Sequence, residues 1–217
     1  DCAKVHQKNM PAIPFLLGDI YNLTEEVLDK YINTDVDVLI GGPPCQGFST
    51  IGARVSSNED RRNRFDPRNT LFKQYIRVLN YLKPKFFLME NVKGIMTRDK
   101  GKIFEEIKET FAATGYDFNY IVLNAADYGV PQIRERVFFY GTRIGVKMTP
   151  PKKICGEGLA PYKTVMEAIG DLADDNVEAL NHVPLNHGAI NIARYKLIPE
   201  GGRMPEDKLP PELYRKN

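Results

Sequence analysis

The sequence lacks the motifs on which several common enzyme classes depend. Its 217 residues include three cysteines and three histidines, and neither a C-x-x-C nor an H-E-x-x-H pattern occurs. No P-loop is present, because Gly94 and Gly101 are misspaced and Lys102 is followed by neither Ser nor Thr. The histidines fit no Cys–His protease pattern, so a cysteine hydrolase would lack an identifiable base. The sequence thus gives no indication of a zinc protease, a P-loop NTPase or a cysteine protease.

Long apolar runs and a strong net charge are also missing. No run approaches the length of a membrane span, and the net charge is only +2. Bulk electrostatics therefore do not indicate a nucleic-acid partner, which has to be argued from local features. The odd number of cysteines without metal-ligand spacing favours reduced thiols and a cytoplasmic location. A hydrophobic content of 42% and a charged content of 27% are ordinary for a globular domain with a core.

The most informative stretch is an apolar run that ends in two glycines, two prolines and a cysteine. Residues 37–40 have the β-branched, apolar composition of a buried strand. The glycines allow another molecule to approach the backbone, and the prolines fix the path by which the chain leaves the sheet. An unpaired cysteine is most often a buried structural residue, but the polar neighbours of Cys45 make no core. The pattern favours a thiolate nucleophile at the end of a strand.

Periodicity predicts an alternation of strands and helices along the first two thirds of the chain. Strands are predicted over 14–20, 37–40, 85–92, 116–124 and 137–142, and helices over 1–9, 26–31 (capped by Thr24), 70–82, 102–113 and 165–172. Alternating strands and helices are typical of a mostly parallel α/β sheet. In such a sheet the ends of neighbouring strands carry the site.

Charged side chains stand at several of these predicted strand ends. Glu90 closes an apolar strand, where a buried carboxylate needs a partner and is suited to an acid's role. Arg134 and Arg136 fall on one face of an extended segment, which suits phosphate or carbonyl oxygens. The alternative is a surface ion-pair strip with Glu135. Five arginines in residues 50–70 indicate a functional lid with phosphate contacts, or else a solvated charged loop.

Three motifs together resemble the core motifs of the DNA (cytosine-5)-methyltransferases. They are Gly-Pro-Pro-Cys45-Gln-Gly-Phe-Ser, Met-Glu90-Asn-Val and Gln132-x-Arg134-x-Arg136, and they stand in the family's order. Three shorter stretches match as well: Gly18-Asp19-Ile20, Arg68-Asn-Thr-Leu71-Phe and Asn124-Ala-Ala-Asp-Tyr-Gly129. The resemblance is dense over residues 1–142 and weaker as far as 198–202. An ordered set of this kind is far more specific than a lone Pro-Cys pair.

The resemblance implies a covalent mechanism on a cytosine that has left the base stack. Cys45 would add as thiolate to C6 of the ring. Glu90 would hold or donate a proton at N3, Arg136 would hydrogen-bond the O2 side of the base, and Arg134 would orient the loop or contact phosphate. Residues 46–70 resemble the catalytic loop that closes over the flipped base, which places Gln46, Ser49 and Arg68 at the DNA.

The resemblance also implies S-adenosylmethionine as the cofactor and double-stranded DNA as the partner. Asp19 and Ile20 would lie near the adenine, and Gly42, Pro44 and Leu71 would line the pocket. The implied fold is a Rossmann-like S-adenosylmethionine-dependent methyltransferase sheet, incomplete at both ends. The family's first glycine-rich motif and the acidic residue that holds the ribose are not found in the sequence.

These departures predict an internal fragment or one piece of a split enzyme. Residues 1–149 would be a partial catalytic domain, and residues 150–217 a connecting region that leads toward a target recognition domain. The cofactor site would be incomplete in this chain, so we expect the isolated chain to bind S-adenosylmethionine weakly or not at all and to be inactive alone. A complementary polypeptide that carries the missing motifs is the corresponding partner.

Two alternatives stay open at this point. A tRNA cytosine-5 methyltransferase uses the same residues, although Gly47-Phe48-Ser49 resembles the DNA enzymes more closely. A non-catalytic fragment that binds DNA or a partner subunit is the other alternative. The resemblance does not tell whether the parent belongs to a bacterial restriction–modification system, a phage or a eukaryote, so the implied location is the nucleoid or the nucleus.

Overall fold

The computed structural model describes residues 2–44, 71–173, 185–205 and 209–213. The chain divides into two compact units, Asp1–Thr164 and Val165–Asn217. The first unit contains the sheet and all of the predicted site residues that the structure describes. The described residues of the second unit include two short α-helices.

Four strands form the sheet of the first unit, in the order β1-β2-β4-β3. They span Val38–Gly41 (β1), Phe86–Val92 (β2), Asp117–Asn124 (β3) and Glu135–Thr142 (β4). β1 and β2 are parallel, whereas β4 is antiparallel to both β2 and β3. The described sheet is therefore mixed, which confirms an α/β fold.

The prediction of a mostly parallel sheet is wrong for these strands. A helix follows β2, as in a parallel crossover, but β4 inserts between β2 and β3 and runs against both. β4 follows β3 after only a 3₁₀ turn, Ala125–Tyr128, and a short loop. A connection this short permits antiparallel pairing, whereas a parallel neighbour needs a crossover of about a dozen residues or more.

Four helices of the first unit are described: α1 (Cys2–Asn9), α2 (Glu25–Tyr31), α3 (Leu71–Leu82) and α4 (Lys102–Ala112). The last two supply most of the core on one face of the sheet. Apolar residues recur at helical spacing in α3 and α4, and those stripes are buried against alternate residues of β2 and β4. Phe111 of α4 stacks on Phe87 of β2, with ring centroids 4.8 Å apart. The sheet face and the two helix stripes thus bury one another, as the periodicity predicts.

The segment before α2 differs from its prediction. Residues 14–20 form no strand; they run as coil into a 3₁₀ helix, Ile20–Asn22. The Asp19 carboxylate caps this helix by accepting from the Tyr21 amide at 3.0 Å. Capping by a short acidic side chain favours a turn over strand pairing. The Thr24 cap of α2 is confirmed, since its hydroxyl accepts from the Val27 amide.

The second unit contains α5 (Val165–Ile169), which a 3₁₀ turn extends to Leu172, and α6 (Ala189–Tyr195). A helical segment over 165–172 is therefore confirmed. Arg194 of α6 donates to the carbonyl oxygen of Leu213, which ties the helix to the short turn Pro211–Leu213.

A buried carboxylate holds the end of the first unit against the turn between β3 and β4. The Asp127 side chain pairs with Lys153 Nζ at 2.8 Å and accepts from the Tyr162 hydroxyl at 3.0 Å. Its backbone carbonyl accepts from the amides of Ile154 and Cys155. One residue thus satisfies four donors and fixes the path of the chain after β4.

We expect the Asp127→Asn variant to be less stable at neutral pH, with a deficit that shrinks in acid. Lys153, followed by the Tyr162 hydroxyl, lowers the pKa of the Asp127 carboxyl, while desolvation opposes them. The wild-type stabilisation is therefore present above about pH 4 and is lost as the pH falls through the lower folded-state pKa. Thermal midpoints measured from pH 3 to pH 8 test this.

Asp117→Asn is the control for that series, because Asp117 is exposed at the start of β3. The thermal midpoint of the Asp117→Asn variant should stay close to that of the wild type at every pH. Two parallel pH curves for the Asp127→Asn variant and the wild type would contradict the assignment.

Candidate active site

The parallel pairing of β1 and β2 brings two predicted site segments to one edge of the sheet. Gly41, at the end of β1, is opposite Met89 of β2, so the chain beyond each strand emerges on the same side. A β-carbon at Gly42 would lie 3.4 Å from Glu90 Oε2. The absence of a side chain at Gly42 therefore leaves space for the carboxylate beside the Pro43-Pro44 turn.

The antiparallel strand β4 brings the arginines to the same carboxylate. Arg136 pairs with Val92 across the ladder, and its Nε lies 2.9 Å from Glu90 Oε1. An Nη of Arg134 lies 4.0 Å from the same oxygen. Both arginines are thus on one face, as the alternation predicts. Glu90 is half-buried, with 36% of its side chain exposed, so its charge is balanced by an ion pair at a surface that ligands can reach.

The neighbouring acid, Glu135, belongs to a different pair. Its carboxylate binds Lys93 Nζ at 2.8 Å, and only its backbone carbonyl accepts from Arg136, also at 2.8 Å. The Arg136 guanidinium is therefore held at two points, by Glu90 and by a carbonyl. Because a guanidinium carries five N–H donors, donors remain for a ligand after these two contacts.

Asn91 is a residue of this edge whose importance the sequence analysis missed. It is 4% exposed. Its Nδ2 donates to the Pro43 carbonyl at 3.3 Å, and its Oδ1 accepts from the Val92 amide at 2.9 Å. The Asn91 side chain thus links the end of β2 by a hydrogen bond to the Pro43-Pro44 turn, which precedes Cys45 in the sequence. The sequence does contain a signal that could have identified Asn91, because it is a polar residue at the end of an otherwise apolar strand.

Four of the predicted site residues lie outside the described residues. They are Cys45, Gln46, Ser49 and Arg68, together with the rest of the arginine-rich loop. The structure does place Pro44, the residue immediately before Cys45, at the sheet edge that carries Glu90 and Arg136.

A cleft opens beside this edge, between the end of β1, helix α3 and the Gly18–Leu23 turn. Its volume is about 710 Å³, which falls in the range of small-molecule sites. Asp19, Ile20, Gly42, Pro44 and Leu71 all line it. The five residues that the resemblance assigns to the cofactor, taken from three separate stretches of sequence, are therefore brought together.

Tyr75 of α3 forms part of the cleft beneath β1. Its hydroxyl donates to the Leu39 carbonyl at 3.1 Å, and its ring is 5% exposed. Burial raises the pKa of this hydroxyl, which keeps it a neutral donor. A β-carbon at Gly41 would lie 2.8 Å from the ring. Glycine is therefore required at position 41 as long as Tyr75 keeps its place.

We expect Gly41→Ala to lower the free energy of unfolding by about 1–3 kcal/mol, because the added methyl overpacks against a ring that is anchored at its hydroxyl. Gly18→Ala is the matched control in the same cleft, since a β-carbon there meets nothing within 4 Å. Its effect should stay within about 0.5 kcal/mol. Denaturant unfolding of both variants tests the prediction, and equal losses would refute it.

A family model described as C-5 cytosine-specific DNA methylase matches residues 1–204 of the chain. The chain belongs to this family. The resemblance that was seen in the motifs around Cys45, Glu90 and Arg136 is thereby confirmed as a relationship that covers almost the whole sequence.

Curated methylases of bacteria are similar to this family member at about 40% identity. The type II methyltransferase M1.HphI of Haemophilus parahaemolyticus is 41% identical over 202 residues, which cover 91% of this chain and 52% of that protein. The type II methyltransferase M.AquIA of Picosynechococcus sp. is 39% identical over 194 residues, 79% of this chain and 75% of that protein. The chain thus spans about half the length of the first relative and three quarters of the second.

This family member also resembles a crystal structure described as a DNA modification methyltransferase encoded within a prophage, from E. coli. The TM-score is 0.60 at 27% identity, and the match covers 94% of this chain and 57% of that one. The mixed sheet and its helices are therefore those of a methyltransferase fold.

Two further features are absent from the described part of the structure. No group of three or more His, Cys, Asp or Glu side chains there could hold a metal ion. No helix in those same segments has the length and apolarity to cross a membrane.

Proposed function

We propose that this chain forms the methyl-transfer part of a DNA (cytosine-5)-methyltransferase, which methylates C5 of a cytosine in double-stranded DNA. The supporting observation is the Glu90–Arg136 pair, at 2.9 Å, on the sheet edge from which the Pro43-Pro44 turn leads to Cys45. A carboxylate and a guanidinium are groups that can activate a pyrimidine ring, and the candidate thiolate, Cys45, directly follows Pro44 in the sequence.

The reaction begins, in this proposal, when the Cys45 thiolate adds to C6 of a flipped cytosine. The new S–C6 bond moves the ring's electrons toward C5, which becomes an enamine carbon able to accept a methyl cation equivalent. After the transfer, loss of the C5 proton to a base expels the Cys45 thiolate and restores the aromatic ring. The sulfur thus returns to its starting state at each turnover.

Glu90, Arg136 and Arg134 act, in this proposal, on the target cytosine and its immediate surroundings. Glu90 holds or donates a proton at N3, which withdraws electrons from C6 and eases thiolate addition. Arg136, oriented by Glu90 and by the Glu135 carbonyl, hydrogen-bonds the O2 side of the ring. Arg134, which is exposed and 4.0 Å from Glu90, orients the adjoining loop or binds a phosphate.

The cleft fits S-adenosylmethionine in size and character. When bound, this cofactor would supply an electrophilic methyl group on a sulfonium, whose sulfur would leave with the electron pair of the broken S–CH3 bond as a neutral thioether. Apolar side chains and exposed backbone surround the space, with Asp19 as an acceptor on one wall and Gly42 and Pro44 on the other. Asp19 and Ile20 would hold the adenine, and Gly42, Pro44 and Leu71 would enclose the rest. Gly42 opens toward Glu90, so cofactor and base would be neighbours.

The DNA contacts belong to the segment between Pro44 and Leu71 in this proposal. Gln46, Ser49 and Arg68 would reach the strand that carries the flipped base, and the loop's arginines would bind phosphates. The enzyme would act on chromosomal DNA, in the cytoplasm of a bacterium.

A complementary polypeptide segment is proposed to complete the cofactor site. Among the described strands β1 pairs only with β2, so its outer edge has no strand beside it. Val38 and Ile40 of this strand are 53% and 71% exposed. An apolar edge strand that forms part of a ligand cleft is suited to pairing with further chain.

The test is methyl transfer by the longest form of the protein that carries this sequence. Labelled S-adenosylmethionine is incubated with duplex DNA and, separately, with tRNA, and the nucleosides are separated after digestion. We expect label in 5-methylcytosine from duplex DNA. Label in tRNA alone would favour the RNA enzyme, and label in N4-methylcytosine or N6-methyladenine would refute the proposal.

A further inference from the structure

The wall of the cleft that carries Asp19 and Ile20 has little packing of its own. Between residues 3 and 37, all of which are described, Leu28 is the only buried side chain. The Gly18–Leu23 turn forms no strand and joins no sheet. Apolar burial therefore contributes little to the position of this wall. Polar contacts have to keep the wall at the distance from β1 that a ligand requires.

Helix α3 supplies those polar contacts. An Nη of Arg77 donates to the Ile20 carbonyl at 3.0 Å, and its Nε donates to Gln74 Oε1 at 2.8 Å, one turn away on the same helix. The Ile20 carbonyl also accepts from the Leu23 amide at 3.2 Å, within the 3₁₀ turn. Arg77 therefore hydrogen-bonds to the middle of the Gly18–Leu23 turn, and Gln74 orients the Arg77 guanidinium.

A second contact from the same stripe of α3 supports the first. Tyr81, four residues after Arg77 and so on the same helix face, donates to Asp29 Oδ1 of α2 at 2.6 Å. Leu71, Tyr75 and Val78 of α3 line the cleft directly. Helix α3 therefore lines one side of the cleft and also hydrogen-bonds to the Gly18–Leu23 turn, which forms the opposite wall.

We propose that Arg77 is a positioning residue for the ligand cleft: by binding the Ile20 carbonyl it sets the Asp19–Ile20 wall at the spacing that S-adenosylmethionine needs. This inference rests on the proposed function of the cleft. Arg77 acts through backbone and touches neither the base-binding pair nor the Pro43-Pro44 turn. Its loss should therefore weaken cofactor binding and leave the chemical step intact.

The test replaces Arg77 by methionine in the longest form of the protein that carries this sequence. We expect the KM for S-adenosylmethionine, and its Kd by calorimetry, to rise about 10-fold, the loss expected for one charge-assisted hydrogen bond. The kcat and the KM for DNA should stay within about twofold. Arg77→Lys, which keeps a donor for the Ile20 carbonyl, should recover part of the affinity.

Lys73→Met is the matched control, because it removes a cation from the same helix at an exposed pair with Glu106. It should leave the cofactor KM unchanged. Gln74→Leu is a second variant that removes only the acceptor that orients Arg77, and we expect a smaller rise of about threefold. Amide hydrogen exchange at Asn22 and Leu23 should accelerate in Arg77→Met but not in Lys73→Met.

The outcomes separate the two proposals. Wild-type protein that binds no S-adenosylmethionine overturns the proposed function and this inference with it. Wild-type protein that binds the cofactor while Arg77→Met binds it equally well overturns the inference alone. A fall in kcat and in DNA affinity alongside cofactor affinity would also overturn it, because that pattern marks a general structural loss rather than a positioned wall.

Discussion

Cys45→Ser is expected to abolish methyl transfer, with turnover lowered on the order of 10⁴-fold or more, as for other nucleophiles of covalent enzymes. A serine hydroxyl at neutral pH is almost entirely protonated, so it cannot add to C6 as the thiolate does. The substitution leaves the Glu90–Arg136 pair unchanged, so substrate binding should survive. Single-turnover methylation of duplex DNA measures the loss.

The covalent step has its own readout. A duplex with 5-fluorocytosine at the target cannot lose fluorine from C5, so the wild-type protein should stay attached to the DNA in denaturing gels. Cys45→Ser should form no such complex. Cys155→Ser is the control for cysteine loss as such, because Cys155 is a free, buried cysteine held by a backbone contact to Asp127. Trapping that survives Cys45→Ser would rule out Cys45 as the nucleophile.

Glu90→Gln is expected to lower kcat by about 10²–10⁴-fold, the range for loss of a general acid. The amide keeps the size of the side chain and can still hydrogen-bond the base, but it cannot transfer a proton to N3. It also leaves Arg136 without the anion that lies 2.9 Å from its Nε. Because both effects weaken ring activation, covalent trapping should slow in parallel with methylation.

Glu135→Gln is the matched control on the same edge. Its carboxylate pairs with Lys93, and both side chains are about half exposed, so the pair contributes little to stability. The backbone carbonyl that orients Arg136 is unchanged in this variant. Activity should stay within about threefold of the wild type. A similar loss in both variants would mean that Glu90 acts only through the net charge of the edge.

The sequence predicted the secondary structure best where apolar periodicity was strong. The stripes of α3 and α4 and the apolar run of β2 appear within one or two residues of their predicted bounds. It failed at residues 14–20, where Asp19 caps a 3₁₀ turn, because a short apolar run carries no signal for whether a partner strand is available. It also failed for the direction of β4, which depends on the length of the β3–β4 connection.

The order of the motifs around Cys45, Glu90 and Arg136 was enough to identify the family. The sequence by itself determined which side chains are available and which elements carry them. Only the tertiary structure decided their pairing. Glu90 meets Arg136 because β4 inserts beside β2, and Arg77 meets the carbonyl of a residue 57 positions away. Such contacts are set by strand order and helix docking, which local propensity and periodicity do not encode.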